Sequence, residues 1–218
     1  MLFRSAINES LSDVFGELLD LTNGSGTDTA DVRWHIGEDL ALGGSGAFRS
    51  MAHPPAFDQP DRMTSSFYTA DTNEQDRGGV HTNSGVNNKA AFLLVDGGTF
   101  NGRSVSPLGI TKTARLYYEV QTNLLTSAAD YLDLSSALQQ ACIQSVGVDG
   151  IMLADCDAVN EAIAAVEMAL PPTTTGAAPT KAPICDGGQF PSHLFFDNFE
   201  NAAADTWSSA ALQGANRW

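Results

Sequence analysis

Apolar positions in the first part of the chain recur with a helical period. Ile7, Leu11, Val14, Phe15, Leu18 and Leu19 form one stripe over residues 6–21, while Glu9, Asp13, Glu17 and Asp20 fall on the more polar positions. Residues 22–31 are Gly, Ser, Thr, Asn and Asp, a loop composition. From Val32 to about Gly79 periodicity fades, and Gly43-Gly44, Pro54-Pro55 and Pro60 punctuate a long irregular stretch. Such stretches persist in compact proteins where they shape a binding surface or hold ions.

Order returns at Thr82. Val86, Ala90, Leu93 and Leu94 predict a helix that stops at Gly97-Gly98, followed by a loop over 99–110. Further helices are predicted over Thr113–Leu125, 135–146 and 156–169. The last has Asp155 as its cap and Val159, Ile163 and Val166 turned inward. The fold class expected is mainly α, with a helical domain over 1–170. Residues 171–184, rich in Pro, Thr and Ala, predict a linker. Leu194-Phe-Phe-Asp-Asn-Phe-Glu200 and Trp207 suggest the opening strands of a truncated β module over 185–218, too short to close a core.

Composition narrows the function classes. Charged residues are 17% of the chain and the formal net charge is -15, with no basic stripe to neutralise phosphates. Nucleic acid and an anionic membrane surface are therefore disfavoured as partners. No apolar run approaches the roughly 18 residues of a membrane helix. Met1–Arg4 runs straight into a helical pattern, so an exported parent is expected to carry its signal peptide upstream. Three cysteines suit neither a thiolate metal site nor a dense disulfide scaffold. Cys142 and Cys156 flank a turn between two predicted helices and either form a disulfide or stay as buried thiols; Cys185 has no evident partner.

Candidate chemistry gathers in two places. Glu9 and Asp13 are four apart on a helix, so both carboxylates face the same way. They are either a solvated face or a pair offset by a metal or a histidine. His81 follows Gly78-Gly79 and precedes a helix start, where an imidazole could donate to an oxygen gaining negative charge, with Asp76 close enough to orient it. A structural or solvent-facing role fits His81 equally well, and His35, His53 and His193 have no comparable setting. Arg49, after a Gly-rich loop, needs a carboxylate or carbonyl partner. Asp58, Asp61, Asp71, Glu74 and Asp76 offer hard oxygens, without the spacing of an EF-hand.

Taken together, several segments resemble the thermolysin-like neutral zinc metalloendopeptidases, specifically the C-terminal, mainly helical part of the catalytic unit. They are Ala6-Ile-Asn-Glu-Ser-Leu-Ser-Asp-Val-Phe-Gly16, Trp34-His-Ile-Gly-Glu-Asp39, Arg49-Ser-Met51, Asp58-Gln-Pro-Asp-Arg-Met63 and Gly78-Gly-Val-His-Thr-Asn-Ser-Gly-Val-Asn-Asn-Lys-Ala-Ala91. The resemblance implies Glu9 as a zinc ligand and Asp13 as the carboxylate bonded to one of two zinc-binding histidines. It implies His81 as transition-state donor, Asp76 as the residue orienting it, and Arg49 as a contact to the substrate carbonyl. Asn8 shares the signature without an assigned role. Asp20 and Glu38 stand at acidic positions of the family's calcium cluster, although Arg33 and His35 occupy places where carboxylates are usual.

The His-Glu-x-x-His motif, which supplies two ligands and the general base, occurs nowhere in the sequence. The expectation is a fragment of a secreted, zinc-dependent endopeptidase acting on polypeptide substrates. Its missing N-terminal part is then a required partner, and the chain alone is expected to be inactive. The alternatives are a noncatalytic peptide-binding protein and a calcium-binding interaction module.

Overall fold

The computed structural model describes residues 6–40, 47–70, 76–126 and 129–173. The chain divides into two units, Met1–Ala178 and Pro179–Trp218, and all described residues belong to the first. Most of the predicted linker, the predicted β module, Asp71, Glu74, Cys185 and His193 lie outside the described residues.

Helix α1 spans Ala6–Asn23 and buries Ile7, Leu11, Val14 and Leu18, as its apolar period dictates. Its other faces depart from the expected pattern. Leu19 is 68% exposed and Phe15 is only half-buried, whereas Asp13 and Glu17 are buried. The reason is a second layer. The segment 36–40 and Arg49 cover the acidic side of α1, and nothing among the described residues covers the Leu19 side. That second layer includes strands β1 (His35–Ile36) and β2 (Arg49–Ser50), antiparallel, with His35 opposite Ser50. A 3-10 turn over Pro54–Phe57 follows, so the stretch expected to be irregular holds short ordered pieces.

A single turn, α2 (Asp76–Gly79), leads into α3 (Gly85–Asp96), the central element. Every α3 residue from Val86 to Val95 except Phe92 is buried, and α3 packs against α1, α4 and α6. Gly85 admits no side chain, since a Cβ there would lie 2.4 Å from the Pro60 carbonyl oxygen. Gly97, at φ 72, closes the helix by donating its N–H to the Leu93 carbonyl.

The next stretch is not the expected loop. Strands β3 (Gly98–Phe100) and β4 (Arg103–Val105) form a hairpin turning through Asn101 and Gly102, both at positive φ. Helix α4 runs Gly109–Glu119 and continues as a π-helical turn over Val120–Leu124, four residues earlier in its start than periodicity indicates. Helix α5 spans Tyr131–Gln144 and begins with a reciprocal cap. Asp130 accepts from the Asp133 N–H at 3.0 Å, and Asp133 accepts from the Asp130 N–H at 3.0 Å. Helix α6 spans Leu153–Ala165, so Asp155 lies in its first turn rather than capping it, accepting from the Met152 N–H at 2.7 Å. Val159, Ile163 and Val166 are buried.

The result is a mainly helical layer structure with two small antiparallel sheets, and no described helix is long and apolar enough to cross a membrane. Cys142 of α5 and Cys156 of α6 form a disulfide with Cα atoms 5.6 Å apart and a sequence separation of 14. Closing a loop of that length restricts the unfolded chain by about 3 kcal/mol. Replacing both cysteines by serine is expected to lower the thermal midpoint by roughly 10 °C. An unchanged midpoint would show that α5 and α6 hold together without the link.

Candidate active site

Three polar residues of α3 reach outward from the core and fix where the site sits. Asn87 donates to Ser10 of α1 at 3.0 Å and accepts from the Tyr117 hydroxyl at 2.8 Å. Asn88 donates to Asp13 Oδ2 at 2.8 Å, and Arg49 Nη1 donates to Asp13 Oδ1 at 2.8 Å. Lys89 donates to the Ala52 carbonyl at 2.8 Å, with its ammonium over the Phe92 and Phe100 rings. Burial pushes the Lys89 ammonium down to about 8.

Asp13 therefore closes a joint between α1, α3 and β2. Its burial raises the carboxyl above the ordinary range, assisted by the charge of Glu9, while the bonds from Asn88 and Arg49 act in the opposite sense. A buried carboxylate of this kind is tolerated only when both oxygens are bonded. Arg49 itself is stacked 5.2 Å from the Phe48 ring, which is 45% exposed.

One helical turn before Asp13, Glu9 meets His81. Glu9 Oε2 lies 3.7 Å from His81 Nε2, beyond hydrogen-bonding reach, and both side chains stay partly open to solvent. The other imidazole nitrogen, Nδ1, is 2.5 Å from Asp76 Oδ1. Asp76 Oδ2 accepts from the His81 N–H at 2.9 Å, the Thr82 N–H at 2.7 Å and the Thr82 hydroxyl at 2.9 Å. Burial alone would raise this carboxyl; the bonds from the His81 ring, Thr82 and the His81 backbone outweigh it and hold the group below its usual range. An ionised Asp76 has only acceptors, so Nδ1 carries a proton and Nε2 is the nitrogen left free.

The His81 carbonyl is held as firmly as the ring, accepting from Gln59 Nε2 at 2.9 Å and Ser84 Oγ at 2.7 Å. Glu9, Asp13, Arg49, Asp76 and His81 thus occupy one connected region. His35, by contrast, packs edge-on against Phe57, and His53 is exposed. Sequence reasoning missed Thr82, Asn83, Gln59 and Asn88, whose amides and hydroxyl carry no chemical signature by themselves. The run of polar residues at the start of an otherwise buried helix was the signal available.

Asp20, on the far stretch of α1, and Glu38, in the segment that covers it, lie at a second place. With Asp28 they bring one carboxylate oxygen each within 4.8 Å of one another, at a cleft of about 340 Å³ that Glu17 also lines. Glu17 is 5% exposed, and its Oε1 has no hydrogen-bond partner among the described residues. Burial, followed by the charges of Glu38, Asp20, Asp28 and Asp13, pushes the Glu17 carboxyl up to about 8. Arg33 turns away to Asp96, at 3.4 Å.

Comparison with known proteins places the sequence in a family. The pattern of the thermolysin metallopeptidase, alpha-helical domain, covers residues 4–168. A zinc metalloproteinase of Renibacterium salmoninarum is 48% identical over 167 residues, which is 74% of this chain and 30% of that protein. A bacillolysin of Brevibacillus brevis is 40% identical over 163 residues, 74% of this chain and 28% of its own length. A thermolysin of Alicyclobacillus acidocaldarius is 37% identical over 164 residues, again 74% and 28%. The chain spans less than a third of the length of these relatives, and it belongs to the thermolysin-like metallopeptidase family as its alpha-helical domain.

Proposed function

We propose that this domain serves in the hydrolysis of internal peptide bonds, as the part of a zinc metalloendopeptidase that contributes one metal ligand and an oxyanion donor. The observation that carries the reading is the convergence of Glu9 Oε2 and His81 Nε2 at 3.7 Å, with the opposite face of the imidazole pinned by Asp76. The donor chemistry fits zinc in part. A catalytic zinc takes about three protein ligands and an open position, and Glu9 is one partly exposed carboxylate. Glu9 would hold the ion together with ligands from polypeptide beyond these residues, the two-histidine helix that the family resemblance implies. Bound zinc supplies Lewis-acid polarisation of the scissile carbonyl and of water.

The remaining roles belong to this chain's side chains. Because Nδ1 keeps its proton in the bond to the Asp76 carboxylate, Nε2 of His81 can donate to a developing oxyanion only when it too carries a proton. Asp76 fixes the ring plane through Nδ1. Arg49, neutralised in part by Asp13 and flanked by exposed Phe48, suits contact with a substrate carbonyl next to an apolar side chain. Export of the parent to an oxidising compartment is the setting in which the Cys142–Cys156 disulfide persists.

Zinc alone is expected to give the 218-residue chain no turnover of casein, whereas the chain supplied with an upstream two-histidine segment should hydrolyse it. In that assembly Glu9→Ala should abolish zinc retention and turnover together. Exchanging His81 for alanine should lower kcat by about 10²–10³-fold with KM little changed. Full turnover and metal content after Glu9→Ala would overturn the assignment.

A second reading concerns the acidic cleft, where we infer a cation site built from Asp20, Asp28 and Glu38. Calcium takes carboxylate oxygens in flexible geometry, and the unpartnered Oε1 of Glu17 on the cleft wall favours an ion over a plain solvated surface. With Arg33 and His35 engaged elsewhere, one ion suits the donor set better than two. Calcium is expected to raise the thermal midpoint and to displace bound terbium, lowering its luminescence; no shift and no competition would remove the site.

The same cluster dictates a pH dependence in calcium-free buffer. Glu17 titrates near 8 when folded and near its ordinary 4.5 when unfolded, so the folded state keeps a proton that the unfolded state releases. Stability from this group is present below about 4.5 and is lost as pH rises through about 8. Glu17→Gln should flatten that part of a midpoint-against-pH curve. A variant curve parallel to the original would contradict the assignment.

A further inference from the structure

The Asp76–His81 pair is built on a turn that local preference opposes. Four consecutive residues sit at positive φ: Asp76 at 50, Arg77 at 52, Gly78 at 83 and Gly79 at 79. Two of them are not glycine, and an L side chain there is strained by its Cβ against the following carbonyl. A turn of this kind persists only where surrounding contacts hold it, and the hydrogen bonds converge on one side chain.

That side chain is Asn83, two residues beyond His81 and 2% exposed. Its Oδ1 accepts from the Thr69 N–H at 2.9 Å and its Nδ2 donates to the Thr69 carbonyl at 2.8 Å. The amide thus pairs with the backbone of residue 69 as a neighbouring strand would, tying that residue to the segment that follows His81. The backbone of Asn83 is equally engaged. Its N–H donates to the Gly79 carbonyl at 2.8 Å, and its carbonyl accepts from the Tyr131 hydroxyl of α5 at 2.6 Å.

Gly79 shows how tightly the turn closes around this amide. A Cβ at position 79 would lie 2.5 Å from Asn83 Nδ2 and 2.7 Å from the Thr69 Cβ, so the glycine is required by the amide as well as by its φ. The clamp therefore fixes residue 69 against residue 83. What remains inside is the carboxylate of Asp76, which collects the His81 ring, both backbone N–H groups and the Thr82 hydroxyl.

We propose that Asn83 is the positioning residue of the Asp76–His81 pair. It contacts neither the imidazole nor the Asp76 carboxylate through its side chain; it acts by holding the turn that presents them to each other. Gln59, donating to the His81 carbonyl from the opposite side, is the subordinate member of the same support. The proposal deepens the peptidase reading, which gives the pair its purpose. Its test nevertheless reads the pair directly, without substrate or zinc, so either can fail alone.

The test uses the full 218-residue chain, isotope-labelled, as the unsubstituted protein, Asn83→Asp, Asn83→Ala and Asp76→Asn. Asn83→Asp keeps the shape but loses the donor to the Thr69 carbonyl and sets two acceptors against each other. The Asp76 carboxyl carbon should titrate higher in both Asn83 variants than in the unsubstituted protein. The His81 imidazole nitrogen shifts should move toward those of Asp76→Asn. Amide shifts of α5 and α6 should stay in place, which separates loss of the turn from loss of the fold.

Hydrogen exchange in the unsubstituted protein gives a reading that does not depend on any variant folding. The Thr69, His81 and Thr82 amides should be protected together, and Asn83→Asp should speed all three by about tenfold. Folded Asn83 variants whose Asp76 titration and His81 ring shifts match the unsubstituted protein would overturn the proposal. So would a Thr69 amide that exchanges freely while His81 and Thr82 remain protected.

Discussion

A buried carboxylate must be paired, and Asp13 is where this domain meets that constraint. Three elements of separate origin in the chain are drawn to it: α1, which carries it, α3 through Asn88, and β2 through Arg49. Glu9 is on the same helix one turn earlier, and His81 lies four residues before the start of α3. Fixing α1 against α3 at Asp13 therefore fixes the separation of Glu9 from His81. The neighbouring Ser10–Asn87–Tyr117 chain extends the same polar seam into α4, between apolar layers. Removing Arg49 alone would leave an uncompensated charge there, which is why a substrate-facing role for this arginine has a structural cost attached.

The acidic side of α1 runs through two regimes. Near its start, Glu9 and Asp13 are balanced by Arg49, Asn88 and the nearby imidazole. Farther along, Glu17 and Asp20 meet Glu38 and Asp28 with no cation beside them among the described residues, and Glu17 responds by holding its proton. Both regimes follow from one packing choice, the covering of the acidic side of α1 by residues 36–40. Coverage strengthens every charge interaction beneath it, favourable or not. The Glu9–His81 region and the acidic cleft thus share one helix face, at opposite ends.

Much of this was legible in the sequence. The stripe Ile7, Leu11, Val14 and Leu18 marks α1, Gly97 marks the end of α3, and Val159, Ile163 and Val166 mark the inner side of α6. The family pattern was legible through its ordered motifs. Burial of Asp13 and Glu17 was not, because periodicity describes one helix face and the covering residues come from a stretch without period. The β3–β4 hairpin was passed over although Asn101-Gly102 is a strong turn signal; strands of three residues are too short to alternate visibly. Asp155 as a cap misread a first-turn acceptor, for the same acid serves either position.

The connections of Asp76 and His81 were the least legible feature, since they depend on bonds between residues 69 and 83, 59 and 81, and 131 and 83. Each crosses a span that no local pattern covers. Tyr131 is informative here: burial raises its hydroxyl far above the ordinary range, so it remains a donor at any working pH and the Asn83 carbonyl is never left unbonded. The bundle helices thereby contribute to the turn through a group that does not titrate with it. The turn is therefore anchored to the bundle by a bond that persists whatever the protonation of the carboxylates it carries.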